Sequence, residues 1–116
     1  MKLEFYYHKE KSKKDKVIGL IEKLKNLENN YQVRIIDISD VPREEVFKIY
    51  EKAWWPSVVK KYKIRKIFGS NRQPGYFFGI EPALFVYGTE SEHPSDVYPH
   101  DVHGKIITIE DFLATL

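Results

Sequence analysis

Apolar and polar positions alternate, bunch and lapse in a way that divides the chain into elements. Leu3-Glu4-Phe5-Tyr6-Tyr7 sets Leu, Phe and Tyr at alternate positions with aromatic partners between. That pattern predicts a strand buried on both faces. Val17, Leu20, Ile21, Leu24 and Leu27 then recur at helical spacing, with Lys and Glu on the opposite face. Ser12 and Asp15 stand as a capping box ahead of this helix, and Asn29-Asn30 ends it. Val33, Ile35, Ile36 and Ile38 predict a second strand. Near-continuous apolar strands joined by a helix suggest a parallel pair covered on both faces.

Ser39-Asp40-Val41-Pro42 opens a second helix, with Val46, Ile49, Tyr50 and Ala53 on its inner face. Trp54-Trp55-Pro56 interrupts it, because a proline disfavours helix at the residue before it. Residues 66–79 centre on Gly69-Ser70-Asn71-Arg72-Gln73-Pro74-Gly75, dense in turn formers, and predict a hairpin or excursion loop. Ala83 to Tyr87 is a further strand, entered through Glu81-Pro82. Gly88 to His103 is polar and acidic and reads as a loop. Lys105-Ile106-Ile107 is a short strand, and Thr108 with Asp111 caps a last helix through Phe112 and Leu113.

The order of elements is that of a mixed α/β domain, and 116 residues make one domain, 1–116. Hydrophobic residues at 42% and charged residues at 31% are a soluble globular balance. No apolar run approaches the length of a signal peptide or a membrane span, so the expectation is a cytoplasmic chain with no membrane partner. The absence of cysteine excludes disulfides, thiolate metal sites and thiol catalysis by the chain's own residues. Charge is uneven. Residues 1–75 hold 18 Lys and Arg against 10 Asp and Glu, whereas residues 76–116 hold one against seven. Either the basic part faces an anionic partner, or the two parts meet in the fold and neutralise each other.

The order strand, helix, strand, helix, X-Pro strand, short strand, helix resembles the thioredoxin-like fold, a central mixed sheet flanked by helices. Three places carry the resemblance. Phe5-Tyr6-Tyr7 ends a strand shortly before a helix that starts at a polar turn. With Leu24 aligned to a late hydrophobic position of the family's first helix, Lys11-Ser12-Lys13-Lys14 falls where the family has Cys-x-x-Cys. Gly19 then falls where thioredoxins often carry a helix-kinking proline. Lys61-Tyr62-Lys63-Ile64-Arg65 and Ile80-Glu81-Pro82-Ala83-Leu84-Phe85-Val86 are similar to two further family segments, and the resemblance makes the hairpin or loop at residues 66–79 an insertion between them. In that family the proline is cis and lies beside the active turn. Lys11 and Lys14 in place of the cysteines remove the family's redox activity.

Three groups of residues bear on function. Lys9, Lys11, Lys13, Lys14 and Lys16 surround a helix start, where unpaired N–H groups favour an anion. One reading is an anion site of Lys11, Ser12, Lys14, Glu81 and Pro82; the other is a solvated turn. Trp54, Trp55, Arg65, Phe68, Arg72, Tyr76 and Phe77 interleave rings and cations. That mixture suits a protein interface, including self-association, more than single-stranded nucleic acid, since no RNA-binding motif accompanies it. The same stretch is also compatible with ordinary core. His93, His100 and His103 with Glu90, Glu92, Asp96 and Asp101 read as a hydrated acidic loop rather than a metal site. No serine lies in a nucleophile elbow, so no catalytic set and no cofactor are expected. The leading expectation is a non-catalytic binding or assembly module, with nucleic-acid or small-anion binding as the alternatives.

Overall fold

A computed structural model describes residues 1–10, 12–53, 82–88, 92–102 and 105–116. The predicted insertion at 66–79 and the aromatic and basic stretch from Trp54 to Phe78 lie outside these residues. So does the Glu81–Pro82 peptide bond.

The chain is mixed α/β. Its main sheet has four strands in the order β2-β1-β3-β4. β1 (Lys2–Tyr7) is central, with β2 (Gln32–Asp37) parallel on one side and β3 (Ala83–Tyr87) antiparallel on the other. β4 (Asp96–Tyr98) pairs antiparallel with β3. Two longer helices follow the parallel strands, α1 (Lys14–Lys25) and α2 (Arg43–Ala53), and α3 (Ile109–Leu113) closes the described chain.

Period-two alternation sorts the strand side chains onto two faces. Leu3, Phe5, Leu84, Val86 and Tyr98 pack with Val17, Leu20 and Leu24 of α1 and with Ile109 and Leu113 of α3. Tyr6, Ala83, Phe85, Tyr87 and Val97 pack on the other face with Ile38, and Val46 and Ile49 of α2 lie against them. β1 and β3 are therefore covered on both faces, as their near-continuous apolar sequences require. The side chains of Tyr50 and Ala53, expected on the inner face of α2, lie outside the described residues.

Several boundaries differ from the sequence pattern. α1 ends at Lys25 with Asn26 as its C-cap, and residues 27–30 form a further turn. The second helix does not open at Ser39. Ile38–Asp40 is a separate 3-10 turn, and α2 begins at Arg43 with Pro42 just before it. The expected loop from Gly88 to His103 contains two strands, β4 and β5 (His100–Val102). Val97 carries no visible alternation because Asp96, Pro99 and His100 surround it, yet it pairs with Phe85 and is fully buried. The Ser95 N–H also donates to the Val86 carbonyl (2.8 Å), extending the pairing. The expected strand at Lys105–Ile107 forms as β6, but it pairs with β5 in a separate two-stranded sheet. The Tyr98–Pro99 peptide, between β4 and β5, is cis.

Of the two capping boxes expected, the second forms. The Thr108 hydroxyl accepts from the Asp111 N–H and the Asp111 carboxylate accepts from the Thr108 N–H, each at 3.0 Å. The Thr108 N–H first, and the Thr108 hydroxyl second, hold the Asp111 carboxyl below its ordinary range. Thr108→Ala removes one bond of the box, and the expected loss is about 1 kcal/mol of unfolding free energy, measured by urea denaturation.

Candidate functional site

The parallel strands β1 and β2 both end where the chain turns into helices, and β3 begins at that same end. Tyr6 of β1 pairs with Ala83 of β3, and one residue more along that register sets the buried Pro82 opposite Tyr7. Ligands of open α/β sheets gather outside the carboxyl ends of parallel strands. Residues 8–10, 12 and 13, residues 37–39 and Pro82 make up this end of the described fold.

The turn after β1 is built on His8. Its N–H donates to the Ser12 hydroxyl oxygen (3.1 Å), its carbonyl accepts from the Ser12 N–H (3.0 Å), and its Nδ1 accepts from the Glu10 N–H (3.2 Å). Ser12 is consequently buried, 5% exposed. This overturns the first capping box. The Ser12 hydroxyl faces back to His8, Lys13 occupies the N-cap of α1 without a side-chain bond, and Asp15 sits inside the first helical turn. The sequence spacing matched the motif, but a closer acceptor role in the turn took the hydroxyl.

Asp37, the last residue of β2, lies beside Tyr7 in the parallel ladder. Its Oδ1 accepts from the Lys9 N–H (3.2 Å) and from the Ser39 N–H (3.0 Å). Partial burial raises the proton affinity of this carboxyl, but the Ser39 and Lys9 donors outweigh it, and the net effect is below the ordinary aspartate range.

Of the five residues expected to hold an anion, Ser12 is buried in the turn, Lys14 is the first residue of α1 and exposed, and Pro82 is buried at the entry to β3. Lys11 and Glu81 lie outside the described residues, as do the interface candidates Trp54, Trp55, Arg65, Phe68, Arg72, Tyr76 and Phe77. Among the described residues no group of three or more His, Asp or Glu is placed to hold a metal ion. His100 is buried and its Nδ1 lies 2.7 Å from the Val97 carbonyl, so its ring serves the turn between β4 and β5. Among the described residues no helix is long and apolar enough to cross a membrane.

A second polar centre escaped the sequence reading. Glu4 is 2% exposed in the middle of β1. Its Oε1 accepts from the Tyr6 hydroxyl (3.1 Å) and its Oε2 from the Arg34 guanidinium (3.0 Å). Arg34 is its direct register partner on β2, and its side chain is 65% exposed, so the pair is closed at one end and wet at the other. The Tyr87 hydroxyl is buried beside them without full hydrogen-bond geometry to any acceptor. Burial first, and the Glu4 carboxylate second, raise the proton affinity of the Tyr6 hydroxyl. Burial and the same carboxylate do likewise for Tyr87. Lys2 Nζ stands 4.3 Å over the Tyr87 ring, within cation–π range. The available signal was a lone acid inside an apolar strand, with an arginine two positions into the next strand.

Asp15, Lys16, Gly19, Leu20 and Lys23 of α1 line an open groove of about 310 Å³ with Glu110 of α3. A Cβ on Gly19 would meet nothing within 4 Å, so neighbouring atoms do not demand glycine there.

No protein-family model, curated protein or solved structure matches the chain.

Two measurements follow from this geometry. Gly19→Ala in the middle of α1 raises stability by about 0.5–1 kcal/mol through helix propensity and unfolded-chain entropy, read as a higher melting temperature. Arg34→Ala strands the buried Glu4 carboxylate with its tyrosine donor alone, at a cost of about 1–3 kcal/mol after allowance for the exposed guanidinium. In a double-mutant cycle Glu4→Gln with Arg34→Ala costs less than the sum of the singles; strict additivity would deny the coupling.

Proposed function

We propose that this chain is a thioredoxin-like domain that serves as a binding or assembly module without thiol redox activity. One observation carries the reading: the register of β1 against β3. It brings Pro82, at the entry of an X-Pro strand, opposite the end of β1, from which a polar turn leads into α1. That juxtaposition of proline and turn is what the family resemblance requires. The parallel pair β1 and β2, the antiparallel β3 and β4 and helices on both faces are compatible with it.

The chemistry of the scaffold then follows from what stands in the turn. With no cysteine in the chain, electron exchange with a disulfide has no nucleophile or resolving thiol. A scaffold that keeps its core while lacking that pair retains recognition as its available task. The aromatic and basic residues Trp54, Trp55, Arg65, Phe68, Arg72, Tyr76 and Phe77 supply the composition of a protein interface.

Sedimentation velocity over a range of protein concentrations tests the module reading. The expected result is concentration-dependent association that a Trp54→Ala, Trp55→Ala double variant abolishes while its far-UV circular dichroism stays unchanged. A monomer at every concentration, together with oligonucleotide binding that collapses steeply with salt, would replace this reading with the nucleic-acid one.

A further inference from the structure

The two loops at the carboxyl end of the parallel strands are far apart in sequence, and one carboxylate oxygen touches both. Asp37 Oδ1 accepts from the Ser39 N–H at 3.0 Å, which closes the start of the Ile38–Asp40 turn. The same oxygen accepts from the Lys9 N–H at 3.2 Å, 28 residues earlier in the chain. Lys9 belongs to the His8–Ser12 turn, whose two bonds between His8 and Ser12 make it a closed unit. The Ile38–Asp40 turn is closed by the Val41 N–H on the Ile38 carbonyl (3.1 Å), and Ile38 is anchored in the core, 5% exposed.

We infer that Asp37 is a positioning residue that couples the two loops, so that the β1–α1 turn and the β2–α2 junction move as one body. A local cap would need the Ser39 donor alone. The Lys9 donor has no part in capping the turn and comes from the turn that follows the neighbouring strand. The β1–α1 turn lies between the β2–α2 junction and the entry to β3, so a ligand that orders the turn would order the junction with it. This inference concerns the mechanics of the loops and holds whether or not the surface binds a partner.

The groups facing Asp37 are the Lys9 and Ser39 amides, the Ser39 hydroxyl and the His8 ring, and each favours the ionised carboxyl and so lowers its proton affinity. Because that affinity is depressed in the fold, the tie is present above the ordinary aspartate pKa of about 3.9 and is lost as pH falls through the lowered value. The coupling is therefore fully formed at neutral pH.

Amide hydrogen exchange and amide shifts of the full chain, followed by NMR, decide the matter. Asp37→Ala should speed exchange at both Lys9 and Ser39 by about tenfold while the Leu84 amide in the core keeps its rate. Acceleration at Ser39 alone would reduce Asp37 to a local cap and overturn the coupling. A second measurement on the unaltered chain is independent of that variant's folding. The Lys9 and Ser39 amide shifts should titrate together with a single midpoint below the ordinary aspartate value. Separate midpoints, or a Lys9 amide that follows only the His8 titration, would overturn it as well.

Discussion

Burying β1 on both edges and both faces is the constraint from which the remaining structure follows. A strand so placed cannot leave a backbone donor or acceptor to water, so both its edges must be paired. β2 and β3 do this, one parallel and one antiparallel. The parallel partner requires a crossover, and α1 supplies it while covering Leu3 and Phe5. The antiparallel partner is buried at all five positions and covers β1's other edge with Leu84 and Phe85 as register partners of Phe5 and Glu4. A single acidic residue in such a strand is costly unless paired. Glu4 is tolerated because Arg34 and Tyr6 reach both of its oxygens.

The elements whose residues repeat at a regular period could be read in advance. Leu3 to Tyr6, the Val17, Leu20 and Leu24 positions of the α1 stripe, and Ala83 to Val86 are buried as their spacing says, whereas Tyr7, Ile21 and Leu27 are half-buried beside them. The capping box at Thr108 was legible for a different reason. Both of its bonds lie within four residues, so no distant group competes for them. Ser12 shows the converse. Its spacing to Asp15 is correct, but His8 lies four residues before it and offers both a donor and an acceptor to the same turn. β4 was hidden because three residues are too few to show a period. Only the partner strand, with Phe85 opposite Val97, reveals what the segment is. The β5–β6 pairing was hidden for the same reason.

The candidate site was less legible than the fold, and the cause is physical. A lysine-rich turn looks alike in sequence whether its cations gather on a ligand or stand apart in water. Ser12 could be identified there, but its inward orientation depends on His8 backbone geometry. Asp37 reads as an ordinary strand end, since nothing in the sequence places the Lys9 amide next to it. Register alone does so: Tyr7 pairs with Asp37, and Lys9 lies two residues beyond.

Glu4 and Asp37 are two solutions to the same demand. Each is a carboxylate that joins β1 or its continuation to β2, and each accepts from two donors. Glu4 lies within the packed sheet, where an unpaired charge would be severely destabilising, and it draws a guanidinium and a phenol. A long arginine can serve there because its outer end remains in water, which limits the desolvation cost to one partner. Asp37 lies at the margin, where solvent already supports the charge, and backbone amides suffice as donors. The difference has a structural consequence. The side-chain partner of Glu4 joins residues that the backbone ladder already sets opposite each other, whereas the amide partners of Asp37 belong to chain that has left the strands. Glu4 thus ties the parallel pair together inside the sheet, and Asp37 ties the two chain segments just beyond its carboxyl end.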